Sequence, residues 1–162
     1  MQAHSGAHDF DFFFGTWDTH NRRRRAIPLG EQGDAWVEFP SSITCAPALD
    51  GSVNIDHFEG TFPDGEFMKG MTIRAYDRET QEWSLVWLST RQSPDFRPLV
   101  GHFEDGVGTF YQDDTTTDGR PMRVRFIWDA ITPTSARWQQ AFSFDGGQTW
   151  DTNWIAQHTR RR

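Results

Sequence analysis

Arginine, histidine and a few side-chain amides, set among many aromatic rings, are the residue types here that could recognise or transform a small molecule. The run Arg22-Arg23-Arg24-Arg25 is the longest block of charge in the chain. In an extended strand successive side chains point to opposite faces, so such a run sends two guanidinium groups each way. If Trp17 points inward, Thr19, Asn21, Arg23 and Arg25 follow it, while His20, Arg22 and Arg24 face water. An arginine inside apolar surroundings is costly unless it is hydrogen-bonded and its charge is compensated. Asp56, Glu59, Asp113 and Asp114 are the candidate internal acids, and Arg74 is the candidate second internal cation. Such cations serve either a structural ion pair or the orientation of a ligand's carboxylate or polar oxygen. His158 reads as a hydrogen-bonded core imidazole or as a general acid or base, since its unperturbed pKa of about 6.5 suits proton transfer near neutrality. Ser and Cys lack a triad-like context, and no glycine-rich phosphate loop follows a strand.

The elements that must position these groups read as strands. Asp-Gly, the strongest short-range mark of a tight hairpin, recurs at Asp50-Gly51, Asp64-Gly65, Asp105-Gly106, Asp118-Gly119 and Asp145-Gly146. Between these marks lie segments rich in β-branched and aromatic residues, several with period two. In 121–129, Met122, Val124, Phe126 and Trp128 share one face and Arg123, Arg125 and Asp129 the other. In 136–143, Trp138, Gln140 and Phe142 oppose Arg137, Gln139 and Ser143, so Gln140 sits among inward rings and needs a partner. In 82–91 both faces are fairly apolar. Strands are expected near 16–26, 35–46, 53–61, 67–77, 82–91, 98–104, 108–114, 121–129, 136–143 and 150–159. About ten strands joined by short turns escape exposed edges most simply by closing into an antiparallel up-and-down barrel, and that number leaves room inside. Phe10, Phe12, Phe13 and Phe14 precede the first strand and suit a short helical plug at one barrel end. The stretch from Gln92 to Pro98 carries two prolines and reads as a crossover or mouth loop.

Composition bounds the rest. The chain of 162 residues suits a single domain spanning 1–162. Net charge is −7 with mixed signs, so no basic face invites nucleic acid, and no apolar run is long enough to span a membrane. These features and the absence of a leader-like start predict a soluble, cytoplasmic protein. Cys45 is the only cysteine, which excludes an internal disulfide and a thiolate-cluster zinc site. Eight Trp and fourteen Phe are many for this length and suit the wall of a wide β interior. Trp87, Phe126, Trp128, Trp138 and Trp154 would supply that wall.

The opening Asp9-Phe10-Asp11-Phe12-Phe13-Phe14-Gly15-Thr16-Trp17 carries Gly-x-Trp at the start of the first strand. It resembles the calycin signature of lipocalins, fatty-acid-binding proteins and nitrobindins. The resemblance implies that Trp17 lies across the barrel base and stacks on a basic residue of the last strand, Arg160 or alternatively Arg161. Gly106-Val107-Gly108-Thr109-Phe110-Tyr111 and Gly147-Gln148-Thr149-Trp150-Asp151-Thr152-Asn153-Trp154-Ile155 extend the similarity, over nearly the whole chain, to an uncharacterised bacterial calycin-like family. That family implies a barrel and no established activity, and its pattern carries an apolar aromatic at the position of His158. If Arg160 meets Trp17, Trp154, Ala156 and His158 share the inward face, and Asn21, Arg23 and His158 line one cavity.

These readings converge on a binding module that holds a small hydrophobic or aromatic metabolite. Its expected ligand-binding residues are Asn21, Arg23, Arg74, Trp87, Phe126, Trp128, Trp138, Gln140, Trp154 and His158. One alternative is an enzyme of the same shape, catalysing an isomerisation, cyclisation or elimination with His158 or an internal acid assisting. The other, implied by the nitrobindin resemblance, is haem held through His158. No other cofactor and no metal is expected, and the apolar outer face of 82–91 would suit a homodimer.

Overall fold

The computed structural model describes residues 5–24 and 35–162. Ten strands follow one another: β1 (Gly15–Arg23), β2 (Val37–Ala48), β3 (Val53–Thr61), β4 (Phe67–Asp77), β5 (Glu82–Ser89), β6 (Leu99–Glu104), β7 (Val107–Thr115), β8 (Pro121–Asp129), β9 (Ser135–Ser143) and β10 (Asp151–Arg160). Each pairs antiparallel with its sequence neighbours, and β10 pairs with β1, so the sheet closes into an up-and-down barrel. Every expected strand is present. β1 stops at Arg23 rather than running to 26, and the expected inward position of Arg25 lies outside the described residues. Among the described residues no helix is long and apolar enough to cross a membrane.

The Asp-Gly pairs do not all make the same turn. Asp105 and Gly106 have φ of 50° and 77° and alone connect Glu104 to its partner Val107, as a two-residue hairpin requires. Asp64, Asp118 and Asp145 keep negative φ, and in those longer connections the following glycine turns left-handed, joined after Gly146 by Gly147. The weakest seam is β5–β6, where only Trp83, Leu85 and the intervening Ser84 are paired. Beyond it the chain runs through 90–98, whose Pro94 and Pro98 lack the N–H a ladder needs. The outward residues of β5, Ser84, Val86 and Leu88, are half-buried.

One end of the barrel is filled from within. Two 3₁₀ turns, Gly6–His8 and Asp11–Phe13, carry Phe10 and Phe13 into the interior, where both are fully buried. Burying each ring contributes about 1.5–3 kcal/mol. Phe10 meets Phe103 and Trp83 edge-on at 4.9 and 5.0 Å, and Phe13 stacks on Trp17 at 5.3 Å. The Trp17 indole N–H donates to the Phe13 carbonyl (2.8 Å). Arg160 then closes this end: its guanidinium lies 4.2 Å from the Trp17 ring centre and donates to the carbonyls of Phe14 (2.5 Å), Phe12 (2.6 Å) and Pro133 (2.9 Å). Arg161 points outward and pairs with Asp18.

Candidate functional site: a cavity above the aromatic plug

Inside the barrel, beyond the plug, lies a cavity of about 80 Å³. Cross-strand register builds it in rows: Thr72 faces Trp87 and Arg74 faces Leu85, while Phe126 faces Gln140, Trp128 faces Trp138, and Ala156 faces Trp138 from the other side. The walls are Ile43, Phe58, Leu85, Trp87, Phe126, Trp138 and Trp154. Trp138 meets Phe126 edge-on at 4.9 Å and Trp154 edge-on at 5.4 Å, and Phe58 meets Trp87 edge-on at 5.8 Å. The Trp87 ring lies against the bare Cα of Gly70, where an added Cβ would come within 2.0 Å of the indole. That glycine is what allows so large a ring on this wall.

The cavity also has a polar side. Arg74 is only 3% exposed, and its guanidinium donates to Asp56 Oδ2 (2.5 Å) and Asn54 Oδ1 (3.0 Å). Asp56 Oδ1 accepts the Thr72 backbone N–H at 3.1 Å, so both carboxylate oxygens are engaged. Plug and wall rings surround the cation, with Phe10, Phe13 and Trp128 centred 5.0, 5.5 and 5.6 Å from it. Of the four candidate acids only Asp56 is internal. Glu59 is exposed beside Lys69, Asp113 pairs with Arg123, and Asp114 pairs with Arg97. A well-compensated pair of this kind carries no free charge into the cavity.

His158 is equally enclosed. Its Nδ1 lies 2.7 Å from Thr19 Oγ1, its register partner, and its ring stacks on Trp128 at 5.3 Å and meets Phe13 edge-on at 5.2 Å. Burial, and secondarily the charge of Arg74, push its pKa down to about 3. The imidazole is therefore neutral across the physiological range, and so weak a base is ill matched to proton transfer near neutrality. Three buried nitrogens of cavity-lining residues have no hydrogen-bond partner among the described residues: His158 Nε2, Trp128 Nε1 and Arg74 Nε.

Nine of the ten residues expected to bind a ligand line this cavity: Asn21, Arg74, Trp87, Phe126, Trp128, Trp138, Gln140, Trp154 and His158. Two of them have their polar groups engaged in holding walls. Asn21 donates to Ser41 Oγ (2.8 Å) and the Phe39 carbonyl (3.3 Å) and accepts the Trp154 indole N–H (3.0 Å). Gln140 donates to Asn153 Oδ1 (2.8 Å), the partner its inward position demanded. Arg23 stands apart. It shares the inner face of β1 with Asn21 but is the last residue of the strand, and its guanidinium stacks on Trp154 (4.5 Å) and Phe62 (5.4 Å). Among the described residues it has no acidic partner, and burial together with Arg91, which stacks on Phe62 at 4.4 Å, lowers its pKa. Ile43, Asp56, Phe58, Thr72, Leu85 and Ala156 complete the lining. The alternation Asn54, Asp56, Phe58 in β3 is the sequence signal that marks the first of these faces.

His158 Nε2 is free, as an axial haem ligand must be. The space does not fit the group, however: about 80 Å³ between Trp87, Trp138, Trp154 and the Arg74–Asp56 pair is far too small for a porphyrin plate. Among the described residues no cluster of three or more His, Cys, Asp or Glu side chains is placed to hold a metal ion.

No protein-family model and no curated protein matches the chain. Solved structures do match. The S-type phycobiliprotein lyase CPES from Guillardia theta superposes with a TM-score of 0.62 at 16% identity, over 94% of this chain and 90% of that one. A de novo designed fluorescence-activating β-barrel matches with a TM-score of 0.48 at 16% identity, over 93% of this chain and 95% of that one. At such identity the likeness to the lyase is one of fold, and it agrees with a calycin-like barrel.

Proposed function

We propose that this barrel is a binding module that encloses a small, compact, largely apolar or aromatic molecule in the cavity above its plug. One observation carries the reading: an internal space walled by aromatic rings is also lined by residues whose buried nitrogens have no hydrogen-bond partner among the described residues. Leaving such groups bare costs about 1–3 kcal/mol each, so they call for a molecule that brings the missing partner. Apolar walls with a few fixed polar groups are the general form of a small-molecule site. The size of the space, well below the roughly 300–1,000 Å³ of drug-sized sites, favours a single ring over a lipid chain. On this reading Trp87, Phe126, Trp138 and Trp154 supply contact area, and Arg74 with His158 fixes the ligand's orientation. Asn21 and Gln140 hold the walls in place, and Arg23 lies at the end of the barrel opposite the plug.

The test is native mass spectrometry of freshly purified protein, combined with a titration of toluene followed by tryptophan fluorescence. The expected results are a co-purifying small molecule or a saturable one-to-one change with toluene. No bound mass and no saturable response would contradict the proposal.

A further inference from the structure

Resting on the binding reading, we infer that the cavity is built for the hydroxyl group of a neutral, single-ring ligand of the phenol class, seated against His158, Trp128 and Arg74. The argument starts from charge. Among the described residues Arg74 is the only cation in the lining, and Asp56 compensates it, with both carboxylate oxygens engaged. His158 is neutral, and Arg23 stacks on the rings of Trp154 and Phe62 without joining the lining. A carboxylate entering the cavity would lose its hydration and meet no net positive charge, which is unfavourable. The polar part of the ligand is therefore uncharged.

Hydrogen-bonding capacity narrows the class. Trp128 Nε1 and Arg74 Nε are donors only, so the ligand must present an acceptor. His158 Nε2 takes the role left by Nδ1. If Nδ1–H donates to Thr19 Oγ1, Nε2 is an acceptor; if the Thr19 hydroxyl donates to Nδ1, Nε2 carries the proton and donates. A hydroxyl group, with one donor and two acceptor sites, satisfies all three nitrogens when Nε2 is an acceptor and two of them when Nε2 carries the proton. A ketone or ether leaves one nitrogen bare under either tautomer, and a plain hydrocarbon leaves all three. The edge-on rings of Phe126, Trp138 and Trp154 are arranged to receive an aromatic body.

The test compares three probes of the same outline, p-cresol, toluene and p-toluate, by calorimetry and tryptophan fluorescence on the whole chain. The expected order is p-cresol at least about ten-fold tighter than toluene, the worth of one or two buried hydrogen bonds, with p-toluate weaker than toluene. In His158→Phe the advantage of p-cresol over toluene, read as a ratio within the variant, should shrink to within about three-fold. Trp128→Phe, which removes the indole N–H and keeps an aromatic ring, is the second variant should the first fail to fold by circular dichroism. Equal affinity for p-cresol and toluene would overturn the inference and leave the binding reading standing, as would tighter binding of p-toluate. A p-cresol preference retained in full by a folded variant would also overturn it. No saturable binding of any probe would overturn both. The wild-type comparison decides without either variant.

Discussion

The imidazole of His158 lies nearly parallel to the indole of Trp128, with centroids 5.3 Å apart and planes at 21°, and each ring keeps one nitrogen without a partner among the described residues. The two come from strands that are not neighbours, β10 and β8, with β9 and its Trp138 between them. Barrel curvature thus stacks the two rings inside the barrel, and the consequences can be measured.

Acid should destabilise the protein through His158. Its folded-state pKa of about 3 lies below the unfolded value of about 6.5, so as pH falls the unfolded chain takes up the proton first. The contribution of this group is intact above about 6.5 and declines as pH drops toward 3, with a slope of up to about 1.4 kcal/mol per pH unit. Urea unfolding of the parent and His158→Gln at pH 7.5, 5.5 and 4.5 checks this. The stability difference between the two should shift in the variant's favour at acid pH, and parallel curves would refute it. Toluene binding should be flat from pH 5 to 8, because the imidazole does not titrate there.

Breaking the Arg74–Asp56 pair should cost more than removing it. Arg74→Met leaves a buried carboxylate unpaired and should destabilise by about 3–5 kcal/mol, whereas Arg74→Met combined with Asp56→Leu should recover most of that loss. Chemical denaturation of the two single variants and the double variant gives the cycle. A double variant no better than the worse single one would show that the pair itself stabilises the fold.

At the plugged end, Arg160→Met removes three charge-assisted hydrogen bonds to backbone carbonyls and the contact over Trp17, for a loss of about 2 kcal/mol or more. Arg161→Met breaks only an exposed pair and should stay within about 0.5 kcal/mol of the parent. Thermal melts of the two variants read out the contrast.

Gly70→Ala should displace the Trp87 ring. A methyl group 2.0 Å from the indole forces the side chain to move, at about 1–3 kcal/mol, and alters the cavity wall. A shift in tryptophan emission together with weaker toluene binding is expected. Unchanged emission and affinity would mean that Trp87 does not shape the site.

Faces were legible in the sequence and depths were not. Period-two alternation placed Val124, Phe126 and Trp128 on the inner surface and Arg123 and Arg125 on the outer one, because a strand has only two sides. It also put Arg23 on the inner face, yet alternation carries no measure of position along the barrel axis. Arg23 therefore ends on the rings of Trp154 and Phe62 instead of meeting His158. The pairing of Trp17 with Arg160 was reachable through resemblance to calycins, not through spacing, since it joins opposite ends of the chain. Alternation with Asn54 and Phe58 separates Asp56 from Glu59, which lies on the opposite face of β3, but that Asp56 rather than Asp113 or Asp114 meets Arg74 of β4 is a matter of register. The same holds for Gly70, whose role appears only when Trp87 is laid across it.

The most direct test is a crystal of the protein soaked with 4-bromophenol, with the bromine located by its anomalous signal. The account predicts one strong peak inside the barrel between Trp87, Trp138 and Trp154, with the hydroxyl oxygen directed at His158 and Trp128. A barrel interior without a bromine peak, in crystals that bind the compound only on their outer surface, would contradict it.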